Sequence, residues 1–287
     1  MLPVLLIAAF AGAAPAKKPA VDVPAEIKRL SDPDAKVRQD AVFALRYAGT
    51  KARPAVQPLI ALLGDPGTDA DTRAAVATAL GAIAPMSKDV VAAMIPLLED
   101  KAVAVRRAAA ETLVNSGAAA RAAAPALAKL LADRNDMVRV AAAETLAKLG
   151  GPDAAAARKV LADGLEGESA FLRAAAAASL YRVGSDACRG LVPQFAKMLS
   201  DSDQYARMNA AAALSKVGPA AQEAIPALIQ AVKDDEYAPV RANAAGVLML
   251  LGPAAADAVP VLKSALMDSD PAVRRQANLA LQAIQRR

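Results

Sequence analysis

The chain has 287 residues, 55% of them hydrophobic but only 3% aromatic, with no Trp, no His, one Cys and a formal net charge of +5. Without His there is no Ser–His or Cys–His nucleophilic pair, no His-based metal site, and none of the commonest general base. Lys17, Lys18, Arg286 and Arg287 account for four of the five excess positive charges, so the body is close to neutral and lacks the basic footprint of a nucleic-acid binder.

The first segment stands apart. Residues 2–13 are apolar, Ala11-Gly12-Ala13 and Ala14-Pro15-Ala16 both fit small-x-small cleavage sites, and Lys17-Lys18 follows. This reads as a secretory signal peptide over residues 1–16, cleaved near residue 13 or 16, with 17–24 as a short linker. The protein would then be exported to the periplasm, cell envelope or medium. The run is too short to span a bilayer, which takes ~20 residues, and no transmembrane segment is expected in the mature chain. No positive charge precedes the apolar run, so the start is misplaced or the signal atypical. The alternative is a disordered apolar tail.

From residue 25 onward one motif recurs. Arg38, Arg73, Arg106, Arg139, Arg173, Arg207, Arg241 and Arg274 stand 33 to 35 residues apart, a period that marks a stacked repeat array. Counting from each Arg, small or apolar residues fall at −1, +3, +4 and +10, and Leu at +7 in every unit, from Leu45 to Leu281. That spacing makes one apolar face of a helix. Gly at +11 in six units (Gly49, Gly117, Gly150, Gly184, Gly218, Gly252) would close the helix in the left-handed conformation. A second helix follows, carrying Pro58, Pro96, Pro125, Pro193, Pro226 or Pro260, and such a Pro is expected to bend it. It ends near an acidic residue: Asp32, Asp65, Asp100, Asp133, Asp201, Asp234 or Asp268. That Asp would cap the next Arg-bearing helix.

Some units depart from the rule. The first has only a short leading helix, Ala25–Ser31. Loops at 64–71 and 84–89 lengthen the second. The unit between Gly150 and Gly184 has Arg158-Lys159 where Pro belongs and Gly164 and Gly167 in its leading helix. Because Gly weakens a helix, residues 151–168 are expected to form a weak joint. Cys188, the lone cysteine, occupies a small-residue position and reads as an apolar filler.

Each unit is thus two antiparallel helices that bury their apolar faces only by stacking. The run from Asp133 to Gly150, D-x-x-x-x-V-R-x-x-A-A-x-A-L-x-x-x-G, resembles the HEAT repeat, close to the short variety of bilin-lyase-like proteins. The resemblance implies a right-handed α-α superhelix (an armadillo-type alpha solenoid) of about eight two-helix repeats over residues 25–287. It implies a convex row of Pro-bearing helices, a concave row of Arg-bearing helices, and Arg and Asp that tie neighbouring units together. Some relatives are enzymes. Deoxyhypusine hydroxylase holds iron with His–Glu pairs, which nothing here matches, and glycosylases of this type rely on aromatic residues.

The Arg row is read as a structural ladder, with Asp32, Asp100, Asp133, Asp201 and Asp268 six residues before their Arg. The Arg fork can grip a carboxylate or turn carbonyls in two places. Partner binding is sought on the concave positions +1, +5, +8 and +9. There Phe43, Arg46 and Tyr47 form one cluster, and Arg107, Glu111, Asn115, Glu144, Lys148, Tyr181, Arg182 and Lys216 another. Aromatic and Arg side chains anchor interfaces, although Phe43 and Tyr47 would also serve to cover the open end of the array. Glu111 and Glu144 share position +5 and could pair around a cation, or sit on a solvated face answered by Arg107 and Lys148. The resulting expectation is a non-catalytic scaffold that binds a protein or peptide on its concave face. No cofactor, metal or nucleic acid is expected. An accessory or lyase-like role, a nucleic-acid-binding solenoid, and self-association through the terminal repeats are the alternatives.

Overall fold

The structure, a computed structural model, describes residues 21–285. The expected signal peptide and the first residues of the linker lie outside the described residues. The Arg helices are Ala35–Ala48, Ala70–Ile83, Val103–Leu113, Asp136–Leu149, Ala170–Val183, Gln204–Val217, Ala238–Leu251 and Pro271–Gln285. Their leading partners are Val23–Arg29, Val56–Gly64, Lys88–Leu97, Ala124–Leu130, Ala154–Gly164, Val192–Met198, Ile225–Asp234 and Val259–Ala265. One further turn of helix, Ser185–Cys188, precedes the sixth leading helix. Among the described residues there is no strand, and the eight pairs form an all-α solenoid.

Curvature follows from side-chain size. Each Arg helix lies alongside the next for the length of the array, whereas successive leading helices scarcely touch. The stack is therefore shorter along the Arg row and closes towards it, which makes that row concave. Small residues permit the approach: Ala41, Ala109, Ala142, Ala176, Ala210, Ala244 and Ala277 at +3 are fully buried. A Cβ on Gly81 would come within 3.0 Å of Thr112. Polar groups stitch the same seam. The Thr112 hydroxyl donates to the Ala77 carbonyl at 2.9 Å, Thr145 to Ala110 at 3.2 Å, and the Asn209 amide to Ala174 at 3.0 Å. The Leu at +7 is buried in every unit; truncating one to Ala costs about 2–5 kcal/mol.

Two local expectations change. All six glycines at +11 have positive φ, but Gly150 (φ 71, ψ −159) and Gly218 (φ 61, ψ −135) are not in the left-handed helical region. They occupy the extended positive-φ region, which is essentially closed to residues with a Cβ. Open space surrounds both, so backbone geometry rather than crowding demands glycine. The prolines do not generally bend their helices either. A 3-10 stretch such as Gly117–Ala123 or Gly218–Ala224 follows the glycine, and Pro58, Pro125, Pro193, Pro226 and Pro260 then fall in the first turn of the α-helix. The missing N–H costs nothing there, and the fixed φ starts the helix. Pro96, near the end of Lys88–Leu97, is the exception.

The fifth unit uses its glycines for packing. Its leading helix runs unbroken from Ala154 to Gly164. A Cβ on Gly164 would lie 2.9 Å from that of Ala176, and one on Gly167 would run into Leu172. These glycines let the leading helix press against its Arg helix. Near the C-terminus, residues 238–265 contain an 18-residue stretch apolar enough to cross a membrane (mean hydropathy 1.7). The chain nevertheless turns at Gly252, with φ 56, between two helices packed into the stack.

Candidate functional site

The edge where leading helices turn into Arg helices carries a ladder. In the third unit the Arg106 guanidinium donates from Nε and Nη2 to the Asp133 carboxylate at 2.7 and 3.0 Å. From Nη1 it donates to the Asp100 and Lys101 carbonyls at 2.9 and 3.1 Å. One planar fork thus closes its own turn and grips the turn of the next unit. Arg73–Asp100, Arg173–Asp201, Arg207–Asp235 and Arg241–Asp268 repeat the carboxylate grip. The sequence set each Arg against the Asp six residues before it. That Asp supplies its backbone carbonyl, and the carboxylate comes from 27 or 28 residues further on. Asp234, read from the sequence as the seventh turn acid, receives Gln230 instead, and Asp235 takes the rung.

The ladder Asp is not the helix cap. Its Oδ1 accepts the N–H two residues on, as from Asn135 to Asp133 at 2.9 Å. The caps come two residues later in sequence, at Asp34, Asn135, Asp203 and Asp270. Asp133, Asp201 and Asp268 are held below the usual carboxylate range, first by the hydrogen bond from their Arg.

Two rungs are missing. Arg38 reaches only the carbonyls of Asp32 and Pro33, because Asp65 lies in the lengthened loop and accepts from Gly67. Arg139 bonds the Asp133 carbonyl and pairs locally with Asp136. The position that should answer it is Gly167, where Leu172 leaves no room for a side chain. Arg274 holds the carbonyls of Asp268 and Ser269 at the end of the array.

Across the junction with no rung, a different bond has formed on the concave face. Glu144 is only 3% exposed. Arg182 of the next unit donates Nε to its Oε1 at 2.7 Å and Nη2 to its Oε2 at 2.6 Å. Ser179 donates to Oε2 at 2.8 Å, and Lys148 lies 3.2 Å from Oε1. Burial alone would raise the Glu144 carboxyl, but Arg182, Ser179 and Lys148 outweigh it and hold it low. Glu111, the same position one unit earlier, is different. Its side chain is 49% exposed and pairs loosely with Arg107 at 3.6 Å. Desolvation in the groove pushes it up, Arg107 opposes this, and Glu144 adds to it. The two carboxylates therefore neither share a solvated face nor form a pair, and no group of three or more metal-ligating side chains exists among the described residues.

The concavity brings distant units together. Glu111 on the third unit feels Arg46 of the first, Glu144 of the fourth and Arg182 of the fifth. The fourth Arg helix forms the floor, with Val140, Ala141, Glu144 and Ala147 all buried. Phe43 and Tyr47 stand exposed near one end, and Asn115 is exposed on the third unit. Further along, the Lys216 ammonium sits 4.5 Å over the Tyr181 ring.

Several residues of this face escaped the sequence reading. Seven residues is close to two helical turns, so position −2 shares a face with +5. Extending the stripe backwards adds Phe171, which is 53% exposed, and the half-buried Tyr205, packed edge-to-face on Tyr237. Leu250 at +9 and Leu279 at +5 are exposed as well. The periodicity alone could have found all four. Cys188 is buried, its thiol donates to the Leu180 carbonyl, and burial pushes it up to about 11. Such a thiol is unreactive at neutral pH.

Stacked two-helix units, an Arg–Asp ladder along one edge and a concave row of Ala-rich helices define a helical repeat solenoid. The chain belongs to the HEAT-repeat family: HEAT repeats match residues 23–113, 91–181 and 158–249. Among solved structures it is similar to an engineered protein at 25% identity and a TM-score of 0.58, covering 92% of this chain and 78% of that one. It is similar to YibA of E. coli at 20% identity and a TM-score of 0.61, covering 92% of each. A model of the full-length AP-3 complex gives a TM-score of 0.66 at 14% identity, over 92% of this chain and 51% of that one. The last two show the fold alone. No curated protein gives a match.

Proposed function

We propose that this protein is a non-catalytic scaffold that binds a protein or peptide along its concave face. The observation that carries the reading is where the aromatic residues lie. The sequence has four Phe, four Tyr and no Trp. Phe43, Tyr47 and Phe171 stand exposed on the Arg helices, with Tyr181 and Tyr205 beside them. A monomer gains nothing by exposing its scarce aromatic rings on one face, whereas an interface uses such rings as anchors. The absence of His and the occupied Glu144 support a binding role over a catalytic one.

A photo-crosslinking amino acid placed at Phe43, Phe171 or Leu250 tests this in the native cell. Crosslinks to a protein are expected from those positions and not from exposed positions on the outer side, such as Glu223 or Glu99. Crosslinks of equal yield from both sides would defeat the reading. Export after cleavage near residue 13 or 16 is part of the same proposal. N-terminal sequencing of protein recovered from the cell envelope should begin at Ala14 or Lys17; recovery of the uncleaved chain from the cytosol alone would remove it.

A further inference from the structure

We infer that the partner presents an acidic segment in extended form, with apolar residues flanking its carboxylates; this rests on the scaffold reading and specifies its chemistry. The argument begins with which charges are already used. Glu144 has both oxygens occupied by Arg182, Ser179 and Lys148 and is sealed into the floor. Arg182 spends Nε and Nη2 on that carboxylate, while its Nη1 has no partner among the described residues and the side chain is half-exposed. The Arg46 guanidinium has no hydrogen-bond or ion-pair partner among the described residues. Lys216 rests on the Tyr181 ring and pairs with no carboxylate among the described residues. Arg107 holds Glu111 only at 3.6 Å. Four cations from the first, third, fifth and sixth units thus face the groove with free donors, against two exposed carboxylates at the stripe positions among the described residues, Glu111 and Asp71. Asp40, at the N-terminal edge, is already paired with Lys36 at 3.0 Å.

Apolar surface lies among and beyond these charges, with Phe43 on the helix of Arg46, Phe171 on the helix of Arg182, and Leu250 and Leu279 on the two units beyond Lys216. Arg helices stack about 8–10 Å apart and an extended chain advances ~3.3 Å per residue, so each unit spans about three residues of a bound segment. Carboxylates spaced along such a segment would meet Arg46, Arg107 and Arg182, with apolar side chains between them. A nucleic acid fits this face less well. It needs a continuous row of phosphate contacts, and here uncharged stretches of Ala separate the cations.

The test is selection of a random 15-residue peptide library, displayed on phage, against the immobilised full chain. Enrichment of Asp and Glu together with Leu, Ile or Phe is expected. The best acidic peptide should bind roughly tenfold more weakly to Arg46→Glu and to Lys216→Glu. Neither residue takes part in the Glu144 network, so both variants should keep the wild-type circular-dichroism spectrum, although Lys216→Glu also loses the contact with the Tyr181 ring. Arg134→Glu, in an exposed turn, should bind as wild type does. Enrichment of neutral or basic peptides would overturn the acidic inference and leave the scaffold reading standing. Tighter binding of a 15-nucleotide single-stranded DNA than of the best peptide would overturn it in favour of a polyanion surface. No enrichment at all would remove both readings.

Discussion

Arg106→Ala and Arg139→Ala remove the same side chain from equivalent positions, yet only Arg106 crosses to the next unit. Arg106 is 15% exposed and Asp133 8%, and the substitution breaks two charge-assisted bonds and two bonds to turn carbonyls. Breaking a fully buried pair costs about 3–5 kcal/mol. The residual exposure puts this one near the lower end, at about 3 kcal/mol. For a chain of this size that is a fall in Tm of about 6–12 °C. Arg139 loses one carbonyl bond and a local pair that is 32% and 47% exposed, worth about 1 kcal/mol. Circular-dichroism melts at pH 7 should therefore rank Arg106→Ala well below Arg139→Ala. Acid supplies a second reading of the same contact. Asp133 is held low by Arg106, so the rung's contribution is fully present above the unfolded Asp value near 3.9 and is lost as pH falls through the folded value. The gap between wild type and Arg106→Ala should shrink from about pH 4 downwards. Equal losses in the two variants, or a gap unchanged at pH 2, would refute the account of the ladder as an inter-unit bond.

Gly218→Ala forces a Cβ into the extended positive-φ region and should cost about 1–3 kcal/mol, read as a lower urea midpoint; Gly190→Ala, without positive φ, should stay within about 1 kcal/mol of wild type. Glu111→Gln should raise Tm at pH 7, because burial raises the Glu111 carboxyl and its charged form is the costly one. The advantage should vanish below the unfolded Glu value near pH 4.3, and a variant less stable than wild type at pH 7 would contradict this. Hydrogen exchange should find residues 151–168 less protected than residues 124–135, because the fourth-to-fifth junction lacks its rung. Uniform protection across both stretches would show that the Glu144–Arg182 bond replaces the rung fully.

The repeat itself was legible because it rests on local chemistry. The Leu at +7, the Ala at +3 and the Gly at +11 each answer to the helix they sit on, and eight copies in register leave one architecture. The sequence also marked the odd places: the lengthened second unit, Gly164 and Gly167, and the charged middle of the Arg row. It misassigned what depends on a neighbour. Gly167 looked like a weak helix and is a position where Leu172 admits no side chain. Asp133 looked like the partner of Arg139 and is the partner of Arg106. Phe171 was missed because the stripe was cut one heptad short, and Leu250 and Leu279 because the seventh and eighth units were passed over at positions already in the stripe.

The amino-acid sequence by itself determined the units, their number and the face each helix buries, because periodicity and small-residue spacing act within about 35 residues. Only the tertiary structure decided how charge is shared between units. Glu111 and Glu144 have the same local motif, Ala-Glu-Thr-Leu. One is half-exposed and raised, the other buried and held low, because Arg182 and Ser179 hydrogen-bond only the second. That contrast is set by the neighbouring repeat, where Ser179 and Arg182 stand beyond Glu144 and Thr145 and Lys148 stand at the same positions beyond Glu111, and so it is written in no single repeat.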